Sequence, residues 1–385
     1  MSALAYLAAS TPARMAVGGS VVAIPILAVE VMDNVALGGA LVAASLAPSI
    51  LAAPLVGVTL DRTSRPRSLI AGAGVITAAA FAVTAFLGTV PLPLVFGALI
   101  LAGAVTPFFM GGLSSFVTEV IPDARRAYAN DALSYNLGAV AGPAVVAGAA
   151  TIASAQLALL LMAVSALVGA VGTASLRLVP LAATTGSIWS AMRAGLSHIA
   201  THRPLAVVTA SGTLSQFGNG ALPIAAVALS LERVGSPDAG AVLVSAFAIG
   251  GLIGALAIAA RQGTMRPELV MGLGFAATGV LTIAAAIDLG LAWSVAAIGL
   301  SGLFTASSAA AMLLLRKQQS PPALRSQVFT VGAGLRATAA AAGAAMAGAA
   351  AGLGAGILIV GVGIAWIVSA VLLLAYPRGA LAIDE

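Results

Sequence analysis

Apolar runs of about 20 residues, rich in Ala, Leu, Val and Gly, follow one another along the chain, parted by short breaks that hold most of its charges. Twelve runs are expected, at roughly 13–31, 36–58, 68–88, 91–118, 130–150, 153–176, 204–229, 238–260, 268–287, 290–315, 327–351 and 354–376. The strict alternation of barrel strands is absent. Hydrocarbon offers the backbone no water, so such runs must cross it as helices. The pattern therefore predicts an all-α integral membrane protein with twelve transmembrane helices in two six-helix bundles. Residues 1–178 would form the first bundle, 179–203 a cytoplasmic linker and 204–385 the second.

Composition sharpens this. With 61% hydrophobic and 8% charged residues, a soluble domain of 385 residues could not cover its surface. Sixteen Arg and one Lys give a net charge of +5, but no basic cluster is long enough to grip a duplex, so a nucleic-acid partner is not expected. Without Cys there is no disulfide, thiolate metal site or Cys nucleophile. Residues 1–13 lack the basic start and cleavage site of a signal peptide, so the first span is expected to stay.

Cation placement sets the orientation. With the loop around Arg62, Arg65 and Arg67 inside, fifteen of the seventeen cations fall in inside segments, Arg14 and Arg316 among them. Arg233 falls outside and Arg336 within a span. Positive loops are poorly translocated, so both termini are expected in the cytoplasm of a cell that carries the chain in its inner or plasma membrane. The halves also echo each other. Gly57 and Arg62 find counterparts in Gly254 and Arg261, and Pro122 and Arg125 in Pro321 and Arg325, each pair about 200 positions apart. Six spans repeated in one orientation imply two bundles related by an axis along the membrane normal, with substrate between them.

The loop Gly57-x-x-x-Asp61-Arg62-x-x-Arg65-x-Arg67 resembles the signature loop of the major facilitator superfamily, between its second and third spans. Ser64 replaces the second glycine of that pattern and Pro66 a basic residue, while the Asp–Arg pair is kept. The resemblance implies the twelve-span transporter fold over essentially the whole chain. It also implies a conformational latch: Glu119, at the inner end of span four, would pair with the loop arginines, and Asp131 would join the cluster or cap its own helix. Gly138-x-x-x-Gly142-Pro143, followed by Gly148, is similar to a motif of exporters and antiporters in that superfamily. Small residues there let helices approach closely, and the proline frees a carbonyl and favours a bend.

Residues 187–204 read as an amphipathic helix at the cytoplasmic face, with Ile188, Met192, Leu196 and Ile199 at helical spacing. A similar element precedes span seven in the drug- and siderophore-exporter-like branch. His198 and His202 lie four apart without an evident third ligand, so neither a metal nor a cofactor is expected.

Ionisable groups inside spans are costly and are candidates for mechanism. Arg336 lies deep in span eleven and suits an anionic group or an acid partner. Glu30, at the outer end of span one, is a candidate proton-coupling acid; Asp33, Glu232, Asp238 and Asp288 read as loop charges. Tyr135 and Asn136 in span five, with Gln216 and Asn219 on one face of span seven, offer polar contacts in an otherwise apolar cavity. Neither a phosphate-binding Gly-x-x-x-x-Gly-Lys loop nor a set of catalytic groups occurs, so ATP is not the direct fuel and an enzyme is not expected. The reading that follows is a monomeric, proton-coupled exporter of a small amphipathic or hydrophobic compound. An uptake carrier or facilitator, or a non-transporting lipid-handling protein on the same fold, is the alternative.

Overall fold

A computed structural model describes residues 3–179, 188–259, 265–321 and 324–377. The first half contains α1 (Ala3–Met32), α2 (Val35–Leu46), α3 (Pro48–Arg62), α4 (Pro66–Ala85), α5 (Leu92–Pro107), α6 (Val117–Val120), α7 (Ala124–Ile152) and α8 (Ala155–Ser175). The second contains α9 (Ile188–Thr201), α10 (Arg203–Val234), α11 (Ala239–Ala259), α12 (Pro267–Ala284), α13 (Leu291–Gly302), α14 (Thr305–Gln318), α15 (Arg325–Ala349) and α16 (Ala355–Leu372). Some spans join two helices: α2 runs into α3, and α13 into α14, so that twelve stretches are long and apolar enough to cross a membrane.

Local chemistry sets the breaks. The side chains of Asn34, Asp123 and Ser154 accept the amides of Leu37, Arg126 and Leu157, satisfying donors that the first turns of α2, α7 and α8 leave free. Pro66 and Pro267 open α4 and α12, where a missing N–H costs nothing. Gly235, at φ 70°, closes α10 in the left-handed region.

The contacts divide the chain into two compact units, Met1–Thr185 with Ser236–Ser245, and Gly186–Gly235 with Ala246–Glu385. Each is built on the same plan. In the first, α1 packs on α7 and α8, and α4 on α8 and α5; in the second, α10 packs on α15 and α16, and α12 on α16, α13 and α14. Helix α9 packs on α15 and α10, with Ile199 buried against Leu205 and Val328. Leu196, expected on its apolar face, is exposed, and the side chains at 188–191 lie outside the described residues.

Two of the boundaries that depart from the hydropathy pattern bear on buried arginines. Helix α1 begins at Ala3, ten residues earlier than the predicted span, which places Arg14 well inside the helix rather than in its first turn. Span ten continues to Gln318 and takes in Arg316. Both were expected in inside segments; they are 2% and 0% exposed.

Glycine crossings hold the long helices together. A Cβ on Gly142 would stand 2.5 Å from the Gly19 amide nitrogen, and one on Gly138 would stand 2.8 Å from the Arg14 Cβ. The second unit repeats the device. Gly343 stands as far into α15 as Gly142 into α7, and a Cβ there would collide with the Phe217 carbonyl of α10. Gly148, by contrast, has open space around it. Overpacking such a crossing costs about 1–3 kcal/mol. Gly142→Val is therefore expected to lower the melting temperature of the purified protein by several degrees, while Gly148→Val leaves it unchanged; equal melting of the two variants would contradict the crossing.

Candidate functional site

Arg14 is the hub of a polar cluster that joins α1 to α7 inside the first unit. Its Nη2 lies 2.6 Å from Asp131 Oδ1 and donates to Ser114 Oγ at 2.8 Å. Its Nη1 donates to the Asp131 carbonyl at 2.9 Å and to Ser134 Oγ. Asp131 also accepts from Tyr6 Oη at 2.5 Å and Ser114 Oγ at 3.0 Å. The Tyr135 ring stacks under the guanidinium, 3.5 Å from Cζ to the ring centroid, where the negative face of the π system meets positive charge. Ser114 follows a π-helical segment, Phe108–Gly112, whose wider turn interrupts the regular helix of span four.

Asp131 and Tyr135 were thus both legible as candidates, but the residue that unites them was not. Asp131 serves neither of the expected roles: its partner is Arg14, and Asp123 caps α7. A signal for Arg14 was present. Apolar sequence flanks it on both sides, unlike a loop cation, although one arginine in such a run reads equally well as an anchor.

The signature-loop residues lie apart from this cluster. Gly57 has open space on its α3 face, and Arg62, Arg65 and Arg67 are exposed. Glu119 is exposed on the short α6. Among the described residues, none of these four charged side chains makes an ion pair or hydrogen bond. The side chains of Asp61 and Arg125 lie outside the described residues, as does Arg261.

Glu30 is tied to a helix start. Its carboxylate accepts the Ala155 amide at 3.1 and 3.2 Å, at the positive end of α8, with the Asp238 carboxyl beside it. Glu232, which reads in the sequence as a loop charge, does the same in the second unit, accepting the Ala355 amide of α16 at 2.9 Å. Arg233 binds the α12–α13 turn through the carbonyls of Ala286, Ile287 and Gly290 and faces Asp288 at 3.6 Å.

The remaining polar candidates find local partners. Asn219 donates to Gln216 at 3.4 Å along α10, Asn136 to the Ala132 carbonyl, and Arg336 Nε to the Gly332 carbonyl at 3.3 Å. His198 and His202 stack with centroids 5.4 Å apart, and His202 bonds to Gln319 at 2.9 Å. No group of three metal-ligating side chains occurs among the described residues. A cavity of about 450 Å³ opens in the second unit between α9, α10 and α15. Aliphatic side chains and Phe217 line it, with Thr209 and Thr213 adding two hydroxyls that have no hydrogen-bond partner.

Two units built on one helical plan, the first holding the signature-like loop between α3 and α4, define the class, and comparison with known families agrees. The profile described as Major Facilitator Superfamily matches residues 6–214. The chain belongs to the major facilitator superfamily and is a multi-pass membrane transporter, not an enzyme. Among solved structures, a nucleoside transporter is 13% identical with a TM-score of 0.81, covering 98% of this chain and 100% of that one. A POT family transporter in complex with a thioalcohol-conjugated peptide is 12% identical, with a TM-score of 0.79 and coverage of 97% and 95%. The peptide transporter POT in complex with sulfate is 16% identical, with a TM-score of 0.74 and coverage of 97% and 93%. At these identities the likeness is one of fold. No curated protein matches the sequence.

The Arg14 cluster makes a sharp stability prediction. Removing one partner of a buried ion pair strands the other charge, at about 3–5 kcal/mol, whereas replacing both with apolar groups is close to neutral. Asp131→Asn is expected to destabilise the protein strongly in denaturant unfolding from micelles. Arg14→Met combined with Asp131→Leu should recover most of that loss, and additive losses in the double variant would show that the two side chains act separately.

Proposed function

We propose that this protein is a proton-coupled exporter of a small amphipathic or hydrophobic compound, working by alternating access in a cell's inner or plasma membrane with both termini cytoplasmic. The observation that carries the reading is the cavity between α9, α10 and α15: its wall is aliphatic and aromatic, and its polar groups are two uncharged hydroxyls. Such a wall rewards apolar surface and gives a sugar or peptide backbone little to bond. The Gly138–Gly142–Pro143 motif supports the exporter branch through Pro143. The glycine crossing recurs in the second unit, where Ala344 stands in the register of Pro143, so the glycines alone carry no direction.

In this reading the bundles 1–178 and 204–385 exchange between inward and outward access, joined by the linker 179–203, and a monomer suffices. Asp61, Arg62, Arg65, Arg67 and Glu119 form the cytoplasmic latch in one of the two states, which suits the exposure of Arg62, Arg65, Arg67 and Glu119 here. Tyr135, Asn136, Gln216 and Asn219, outside the lining of that cavity, are further cargo contacts along the transport path. Glu30 carries the coupling proton: it faces Asp238, and protonation of one carboxyl relieves like-charge repulsion between them while loosening the hold on the Ala155 amide.

The test is transport of a lipophilic fluorescent cation by the full-length protein in proteoliposomes with an imposed proton gradient. Wild type should move the dye only with the gradient. Asp61→Asn should insert normally yet slow the cycle about tenfold, a change of about 1.4 kcal/mol in the barrier. Glu30→Gln should abolish proton movement. Dye flux indifferent to the gradient would favour a facilitator, and accumulation of polar cargo in preference to dye would favour an uptake carrier.

A further inference from the structure

The two units each bury an arginine where the first, fourth and fifth helices of the bundle meet, and they treat it differently. In the first unit, Arg14 has Asp131 as its counter-charge. In the second, Arg316 of α14 is wedged between Gly212 of α10 and Gly332 of α15. A Cβ on Gly332 would stand 2.9 Å from Arg316 Nη1, and one on Gly212 would stand 3.5 Å from Nη2. Gly332 occupies the register of Asp131: each stands seven residues into its helix. The position that supplies the carboxylate in one unit is bare in the other.

Arg316 is 0% exposed, and none of its three guanidinium nitrogens has a hydrogen-bond partner among the described residues. The charge that acts on it is a second guanidinium, Arg336, which is half-buried and bonds to the Gly332 carbonyl. The described carboxylates of this unit are engaged or placed elsewhere. Glu232 holds the Ala355 amide, Asp288 faces Arg233, and Glu268 lies beside Tyr376. A guanidinium keeps its proton in a protein, so Arg316 cannot escape by neutralising itself. The three unfilled nitrogens of the Arg316 guanidinium, with a second guanidinium beside them at the Gly332 carbonyl, match the forked geometry of an oxyanion.

We propose that Arg316 and Arg336 form an oxyanion-binding site in the second unit, beside the close Arg316–Gly332 contact, with Arg336 marking its entrance. The ligand group is a phosphate-like anion, either free or on a lipid head. In the closed slot Arg316 has no solvent contact, so binding draws the α15 surface around Gly332 away from it. The site does not depend on the direction or cargo of transport, because it is read as equilibrium binding.

The experiment is thermal melting of the full chain in nanodiscs, followed by the fluorescence of its three tryptophans. One arm uses phosphatidylcholine discs titrated with inorganic phosphate against chloride at constant ionic strength. The other uses discs containing phosphatidylglycerol, in chloride alone. Wild type is expected to show a saturable rise of about 5 °C in one arm or both. A rise with inorganic phosphate assigns a free anion, and a rise confined to the second arm assigns the lipid phosphate. Arg316→Met should melt at least as high as wild type in chloride and neutral lipid, since it removes an unpaired buried charge, and should lose the rise. Excluded-solute stabilisation by phosphate would raise both proteins equally. If Arg316→Met does not fold, Arg336→Gln should weaken apparent affinity about tenfold. An unchanged response in the variant, or no rise in either arm, overturns the proposal.

Discussion

A charge inside hydrocarbon must be answered from within the protein, and that constraint organises this molecule. Arg14 sits almost sealed between α1 and α7, and Asp131, Ser114, Ser134 and Tyr135 converge on it. A lone guanidinium there would cost several kcal/mol even after relaxation. The pair instead binds the first helix to the fifth at the level where the π-helical turn of span four brings Ser114 within reach. The close approach of α1 and α7 depends on this and on Gly138 and Gly142, since neither the ion pair nor the backbone contact forms if the helices stand a side chain apart.

The repeat of the architecture shows which features belong to the scaffold and which to one half. Glycine crossings between α1 and α7 recur between α10 and α15, and a glutamate at the end of the first helix caps the sixth in both units, through Glu30 and Glu232. A role repeated in both halves is a packing role first. What differs is more telling for function: Pro143 against Ala344, the Asp238 carboxyl beside Glu30, and an arginine balanced in one unit and unbalanced in the other.

Much of the fold was legible because hydropathy is a local property. An apolar run long enough to span a bilayer has one stable solution, and breaks of Pro, Gly, Asn, Asp and Ser mark where helices end. The candidate cluster was legible in part: Asp131 and Tyr135 carry polar groups into a span and stand out by composition. Arg14 and Arg316 did not stand out, because each lies near the end of its apolar run, where an arginine also serves as a surface anchor. Only the true helix ends, at Ala3 and Gln318, distinguish the two cases.

The sequence by itself determined the twelve spans, the doubled organisation, the superfamily loop and the absence of thiol chemistry from these residues. Each of these is carried by residue type and spacing along one segment. The tertiary structure decided who pairs with whom: Asp131 with Arg14 rather than with a loop arginine, Glu30 with the start of α8, and Arg316 with no carboxylate among the described residues. Those outcomes depend on which faces of helices more than a hundred residues apart come to lie together. Side-chain contacts across such separations are set by the packing of whole helices, which no single stretch of the chain encodes.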